Sequence, residues 1–162
     1  MELDEQGLPV GEKVERDHYL KMVGQEVGCS DWLVVEQSMI TTFAELTGDV
    51  YFIHVDPEKA KETPFGTTIA HGFLTMSMLA HFARESLPMV EGVEMSVNYG
   101  LDKVRFIEPV KCGARIRGRF TVLSVDDSKP GRRMTTLAAR VEIEGVERPA
   151  LTAEWQSIAF LK

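Results

Sequence analysis

The sequence contains little cysteine and no long apolar segment. Its 162 residues include two cysteines, Cys29 and Cys112, which are too few for a disulfide framework and lack the paired spacing of zinc ligands. No stretch approaches the roughly 20 apolar residues of a membrane-spanning helix. Residues 1–16 are charged and lack the apolar core of a signal peptide. These absences predict a cytoplasmic protein with free thiols and no membrane partner.

Positive charge is also scarce. The chain has 18 Lys and Arg residues against 25 Asp and Glu residues, which gives a net charge of −7. Nucleic-acid binding draws most of its affinity from neutralising phosphates, so this balance predicts no nucleic-acid partner. The four histidines are scattered, without a carboxylate at ligand spacing, which predicts no metal site. The Gly-x-Ser-x-Gly motif of many serine hydrolases is absent as well.

The composition that is present favours one globular domain. Hydrophobic residues make up 44% of the chain and charged residues 27%, which is typical of a folded protein with its own core. There is no internal repeat and no linker that would divide the chain. We therefore predict a single domain over residues 1–162. Within it, residues 1–29 form an N-terminal extension, with a loose tail up to about Val14 and a short helix around residues 15–23.

Apolar periodicity predicts two longer helices. Over residues 37–47, Met39, Phe43 and Leu46 recur at helical spacing, and Gly48 follows as a C-terminal glycine. Over residues 72–87 apolar side chains point in nearly every direction, which predicts a helix buried almost all round. At about 1.5 Å per residue that helix is roughly 24 Å long, so it needs a broad sheet to cover it.

Alternating apolar positions after the second helix predict this sheet. Strand by strand, they are Met95, Val97, Tyr99 and Leu101; Ala114, Ile116, Phe120 and Val122; Leu137, Ala139, Val141 and Ile143; and Leu151, Ala153 and Trp155. The phase of the first strand slips near Asp102, which predicts a bulge or break there. The expected architecture is an α+β hot-dog fold, in which a curved antiparallel sheet wraps one long central helix.

Two segments carry the residues that suit chemistry. Residues 47–56 are Thr-Gly-Asp-Val-Tyr-Phe-Ile-His-Val-Asp, and residues 69–74 are Ile-Ala-His-Gly-Phe-Leu. The first resembles the signature of MaoC-like dehydratases and R-specific enoyl-CoA hydratases, in which an Asp precedes a His by five residues. The second resembles the His-Gly that opens the central helix of that family. Motifs in this order are much more specific than an isolated Asp/His pair.

The resemblance extends over residues 30–162. With Pro64-Phe65-Gly66 and Ser30-Asp31-Trp32, the pattern is similar to the nodulation-protein-N-like branch of the family. The sequence departs from the common pattern at Tyr51-Phe52, where the family usually has Asn-Pro. This replacement affects two features of the expected site: the polar groups that support the Asp/His pair, and the size of the substrate pocket.

The resemblance implies an enzyme that hydrates trans-2-enoyl-CoA R-specifically or dehydrates R-3-hydroxyacyl-CoA. Asp49 and His54 would act jointly on one water, and imidazole is a natural proton carrier near neutral pH. The Gly72 N–H, at the start of a helix, would bind the thioester oxygen as it gains negative charge. The implied substrate is an acyl-CoA or acyl-carrier-protein thioester, with no cofactor beyond the CoA thioester itself.

Structural interpretations exist for several of these residues. Taken alone, Asp49 could satisfy backbone groups after a helix, and His54 could be a buried structural histidine. Asp56, which precedes Pro57, is predicted to cap a short helix, and His71 to pack or donate a hydrogen bond at the start of the long one. A solvated sheet face is preferred to phosphate binding for three arginines: Arg115, Arg117 and Arg119.

Two other functions are compatible with a hot-dog fold. An acyl-CoA thioesterase would hydrolyse the thioester, although such enzymes usually lack the Asp/His loop. A non-catalytic acyl-thioester binding protein would bind without turnover. Whichever of these functions the protein has, the fold leaves an edge strand and part of the central helix uncovered, which predicts a homodimer.

Overall fold

A computed structural model describes residues 12–162. Its helices are α1 (Arg16–Leu20), α2 (Gln37–Thr47), α3 (Phe52–Val55), α4 (Pro57–Lys61) and α5 (Gly72–Ser86). Its strands are β1 (Lys13–Val14), β2 (Glu26–Cys29), β3 (Leu33–Val34), β4 (Met89–Val90), β5 (Val93–Phe106), β6 (Arg115–Asp126), β7 (Arg132–Ile143) and β8 (Leu151–Leu161). The four long strands and the long helix fall where the apolar periodicity predicts them.

The main sheet is antiparallel and has the order β2-β6-β7-β8-β5, with β3 also paired to β6. The buried faces of β6 and β7 contain the predicted alternating residues. The bulge predicted near Asp102 is confirmed, because the pairing of β5 with β8 shifts between Asp102 and Arg105. Lys103, within the shift, has a positive φ of 50°.

Helix α5 packs across one face of this sheet, chiefly against β6 and β2. Phe82 is completely buried at this contact. A Cβ atom at Gly118 of β6 would lie 2.6 Å from the Cβ atom of Phe82, so only glycine allows the helix to approach this closely. A long helix held against a curved antiparallel sheet is the predicted hot-dog fold, which is thus confirmed.

The predicted all-round burial of α5 is wrong. One stripe of the helix is exposed, and its residues are Phe73, Ser77, Ala80, His81 and Arg84. Phe73 alone is 63% exposed. The sheet covers only the opposite side of the helix, since the strands form a single layer. The apolar residues of α5 outside its contact with the sheet therefore stay exposed.

Two other predictions need correction. The loose tail was predicted to extend to Val14; residues 1–11 lie outside the described part, but Lys13 and Val14 pair in parallel with Met89 and Val90. This segment is ordered because Val14 is buried in the core. The alternation of apolar residues along β5 predicts that one of its faces is buried, yet Met95 and most of its other residues are exposed. The strand lies at the sheet edge, and α5 reaches it only near its end, at Phe106.

Candidate active site

The two motif segments meet where α5 begins. Helix α2 ends at Gly48, whose left-handed φ of 78° turns the chain into the short loop that carries Asp49. His54 lies on α3, and His71 is the N-cap residue of α5. One side-chain N or O atom from each of Asp49, His54 and His71 lies within 4.8 Å of the others. Residues 22 positions apart in sequence thus form one cluster.

His54 is buried, and its hydrogen bonding defines its tautomer. Its Nδ1 lies 2.7 Å from the carbonyl oxygen of Ile69. A carbonyl only accepts, so Nδ1 carries the hydrogen and donates it. In the neutral ring the lone pair is then on Nε2, the nitrogen available as a base. The carbonyl of His54 accepts from the Gln37 side chain at 2.7 Å, and Gln37 in turn accepts from Thr68, which braces the backbone.

His71 lies directly against His54. The two imidazole rings are stacked, with centroids 3.7 Å apart and planes 24° from parallel. The Nε2 of His71 donates to the backbone carbonyl of Asp49 at 2.9 Å. Its Nδ1 is buried and has no hydrogen-bond partner among residues 12–162. The predicted structural role, packing or a hydrogen bond at the helix start, agrees with these contacts, and the acceptor is Asp49.

The side chain of Asp49 is 56% exposed, and one of its carboxylate oxygens lies 4.0 Å from Nε2 of His71. The structural interpretation of Asp49 required its carboxylate to accept backbone hydrogen bonds. Among the described residues no such bond is found; the Asp49 N–H instead approaches the Thr47 hydroxyl at 3.5 Å. The carboxylate is therefore free to bind a ligand or water.

A pocket of about 310 Å³ opens beside His54 and Gly72. Most of its described lining residues are apolar; apart from His54, the one ionisable residue among them is Glu108, which pairs with Arg148 at 2.9 Å. The remaining lining residues are Phe65, Ile69, Ala70, Thr75, Phe106, Ile107, Pro109, Val110 and Ala150. An apolar pocket with a few converging polar groups is typical of a small-ligand site. Asp49 is not among the lining residues, although its carboxylate lies in the cluster with His54 and His71.

Gly72 brings the backbone of α5 to this pocket. It is the first residue of the helix, and its N-cap residue His71 makes no side-chain capping bond. The first N–H groups of a helix have no acceptor within the helix and carry a partial positive charge. A Cβ atom at position 72 would lie 2.9 Å from the ring of Phe106, so the glycine also keeps the pocket wall close to this backbone.

The cluster of one carboxylate and two imidazoles does not have the geometry of a metal site. Metals bind imidazole through a lone pair in the ring plane. Because the rings of His54 and His71 are stacked with planes 24° from parallel, lone pairs that lie in these two planes are poorly placed to meet at one metal ion. In addition, His54 Nδ1 and His71 Nε2 are already donors to carbonyl groups. The arrangement suits proton transfer at His54 better than coordination.

The three strand arginines lie away from this site and are paired on the outer sheet face. Arg117 and Arg119 both bond to Glu142, at 2.8 and 3.0 Å, and Arg115 bonds to Glu144. A depression of about 530 Å³ lies on this face, and the charged residues around it are largely paired with each other. The prediction of a charged surface, rather than a phosphate site, agrees with these contacts.

Asp56 caps α4 as predicted. Its Oδ1 accepts from the backbone N–H of Lys59 at 3.1 Å, and Pro57 occupies the first helical position. The backbone hydrogen bond from Lys59 lowers the pKa of the Asp56 carboxyl. Its role is therefore structural, as the sequence predicts.

The fold and the cluster together define a hot-dog protein of the hydratase and dehydratase class. The family model described as "MaoC like domain" matches residues 19–145, most of the chain. The chain therefore belongs to the MaoC-like dehydratase family. Within residues 12–162, no helix is both long and apolar enough to cross a membrane.

Relatives agree with this assignment. The chain is 49% identical to nodulation protein N of Rhizobium leguminosarum bv. viciae over 137 residues, which cover 84% of this chain and 85% of that protein. It is 45% identical to 3-hydroxyacyl-thioester dehydratase Z of Mycobacterium tuberculosis, with coverage of 81% and 86%. The unliganded structure of R-hydratase PhaJ1 from Pseudomonas aeruginosa superposes with a TM-score of 0.70 at 25% identity, with coverage of 86% and 83%. The predicted family and its nodulation-protein-N-like branch are confirmed.

Proposed function

We propose that the protein hydrates trans-2-enoyl thioesters R-specifically, and dehydrates R-3-hydroxyacyl thioesters in reverse, with Asp49 and His54 acting on one water. The observation that supports this most is the bond from His54 Nδ1–H to the Ile69 carbonyl, which leaves Nε2 as a free base beside an apolar pocket. A named relative is a 3-hydroxyacyl-thioester dehydratase, and a structural neighbour is an R-hydratase. The substrate would be an acyl-CoA or an acyl-carrier-protein thioester.

In the hydration direction, water lies between the Asp49 carboxylate and Nε2 of His54. His54 removes a proton from the water as its oxygen bonds to C3 of the enoyl group. The electron pair of the C2–C3 double bond moves toward the thioester carbonyl and forms an enolate. The enolate then collapses, and C2 receives a proton from the Asp49/His54 pair, so the sum is one water added across the double bond. Well-placed acid and base groups typically accelerate such steps by about 10² to 10⁴.

The negative charge on the thioester oxygen would be bound by the N–H of Gly72. This N–H lies at the positive end of α5 and borders the same pocket as His54. Because glycine has no side chain, the thioester can approach the backbone closely. The acyl chain would then extend along the apolar wall that includes Phe65, Phe106 and Val110.

The test is a hydration assay with trans-2-enoyl-CoA esters of several chain lengths, which follows loss of enoyl absorbance and the configuration of the product. We expect R-3-hydroxyacyl-CoA from the wild type, and a fall in kcat of about 10²-fold or more in Asp49→Asn and in His54→Gln. His18→Gln serves as the matched control, since His18 is exposed on α1 and outside the pocket.

Each unfavourable outcome of this assay has a distinct meaning. An S-configured product, or wild-type activity in a folded Asp49→Asn or His54→Gln variant, would refute the proposed reaction or its residues. Release of free thiol without loss of the enoyl group would identify a thioesterase instead. Tight binding of acyl-CoA without turnover at any chain length would identify a binding protein.

We also propose that the protein acts as a homodimer. The exposed stripe of α5 includes Phe73, whose ring contacts that of Phe106. Nearby, β5 presents exposed apolar residues and one unpaired edge among the described strands. Apolar patches and free strand edges of this kind favour association between copies of a chain.

A further inference from the structure

His71 is held in an unusually constrained position. It is only 2% exposed. One side of its ring stacks on His54 at 3.7 Å, and the ring of Phe43 packs against it at 5.2 Å. The pocket lining does not include it. His71 therefore contacts the proposed base, His54, directly but has no surface from which to contact an acyl chain.

The hydrogen bonding of His71 points at Asp49. Because Nε2 donates to the Asp49 carbonyl, the neutral ring carries its lone pair on Nδ1. Nδ1 has no partner among residues 12–162, and burial of an unpaired polar atom has a cost. Nδ1 is therefore buried without a hydrogen-bond partner among these residues, whereas Nε2 keeps its bond to Asp49. That bond, and the ring stacking, are the contacts through which His71 can act.

Asp49 has few other restraints. Its side chain is more than half exposed and its carboxylate accepts no hydrogen bond from the described residues, although Nε2 of His71 lies 4.0 Å away. The loop between α2 and α3, residues 48–51, is short and follows a left-handed glycine. Without the bond to its carbonyl, the backbone of Asp49 could rotate and carry the carboxylate away from His54.

We propose that His71 is a positioning residue: its Nε2–H fixes the backbone of Asp49, and its ring face supports His54, so that both groups address the same water. This inference rests on the proposed function, in which Asp49 and His54 share that water. Loss of alignment affects turnover more than binding, because His71 lies outside the pocket. A displacement of about 1 Å in a catalytic group can cost about 10²-fold in rate.

The test compares His71→Gln with His71→Asn. The amide nitrogen of Gln can occupy the place of Nε2 and donate to the Asp49 carbonyl, whereas that of Asn lies one methylene short, near the position of Nδ1. Both side chains are polar and fit the space of the imidazole. We expect kcat to fall by about 10²-fold in His71→Asn, with KM unchanged, and to recover substantially in His71→Gln.

A purely structural role predicts the opposite order. His71 is the N-cap of α5, and Asn is among the best N-cap residues. If His71 only supported the helix, Asn would equal or exceed Gln in both thermal stability and activity. That order, or an equal loss of kcat in both variants, would overturn the proposal. Thermal unfolding of each variant, with His18→Gln as control, separates a loss of folded protein from a loss of alignment.

A spectroscopic measurement on the wild type provides an independent check. The ¹⁵N chemical shifts of the His71 imidazole should show hydrogen on Nε2 and a bare lone pair on Nδ1. Hydrogen on Nδ1 alone would contradict the bond to Asp49 and the proposal with it. Activity in Asp49→Asn or His54→Gln would instead refute the proposed function. If those two variants are inactive while His71→Asn is fully active, only the positioning role fails.

Discussion

At the scale of single residues, Gly72 offers a sharp prediction. In Gly72→Ala, the new methyl group would lie 2.9 Å from the Phe106 ring, so the ring must enter the pocket or the helix start must move. Either change disturbs the proposed N–H donor, and loss of such a donor typically costs about 10²- to 10³-fold in kcat. We expect a loss toward the lower end of that range, measured by enoyl-CoA hydration.

A second glycine provides the control for this prediction. Gly100 lies on β5, and its nearest neighbour for an added Cβ is the Gln156 side chain at 3.6 Å, an ordinary contact. Gly100→Ala should therefore keep wild-type kcat. Equal activity in the two alanine variants would mean that the start of α5 does not bind the thioester oxygen.

The sequence predicted the side chains of the site better than their supports. Asp49, His54 and His71 were identifiable because a motif preserves their identity and spacing. The Ile69 carbonyl, which sets the tautomer of His54, left no such sign, because any residue supplies a backbone carbonyl. Gln37 could not be identified from the sequence either, because its bond to the His54 carbonyl depends on how α2 packs beside α3.

At the scale of elements, one carboxylate joins three parts of the chain. Asp127, in the turn between β6 and β7, forms a two-bond ion pair with Arg133 at 2.8 and 3.1 Å and also bonds to Arg16 of α1 at 2.9 Å. Arg133 is almost completely buried. The hydrogen bond from Arg133, with a smaller contribution from Arg16, lowers the pKa of Asp127 although burial opposes it.

This pair predicts acid sensitivity. A carboxyl whose pKa is lower in the folded protein stabilises the fold above its unfolded pKa, near 3.9, and loses that contribution as pH falls through the folded value. At pH 7, Asp127→Asn should lower the free energy of unfolding by about 3 kcal/mol, because it leaves a buried guanidinium without its counter-ion. The difference from wild type should narrow below about pH 4.

Urea unfolding at fixed protein concentration, from pH 7 down to pH 3, measures this difference. The control is Glu144→Gln, which breaks an exposed pair with Arg115 and should cost less than about 1 kcal/mol. A constant difference between wild type and Asp127→Asn across that pH range would contradict the assigned role of the ion pair.

Element boundaries followed from local sequence, whereas burial depended on tertiary structure. Helix α2 has the predicted bounds because Gly48 ends it through a left-handed residue that periodicity and glycine together indicate. Helix α5 has the predicted start, but the sheet leaves the stripe that contains Phe73 largely exposed. Periodicity shows that a side chain is apolar and does not identify which molecule covers it.

At the scale of the whole molecule, the uncovered surfaces are adjacent in the fold. Strand β5 ends at Phe106, whose ring contacts Phe73 of α5. Met95, Val97 and Tyr99 lie further along the same edge strand and are exposed. A second copy that pairs along β5 would satisfy the free edge and cover these residues. The assignment of residues 1–162 to a single domain stays a prediction, and the proposed dimer does not depend on it.

The dimer is tested by placing charge on β5. We expect the wild type to sediment at twice the 18.2 kDa chain mass, and a Val97→Lys, Tyr99→Lys double variant to shift toward monomer, because paired copies would bring like charges together. Leu46→Lys is the matched control: Leu46 is 81% exposed on α2, and the same charge there should leave the mass unchanged. A wild type that sediments as a monomer at micromolar concentration would refute the dimer, and a double variant that stays dimeric would exclude β5 as the interface.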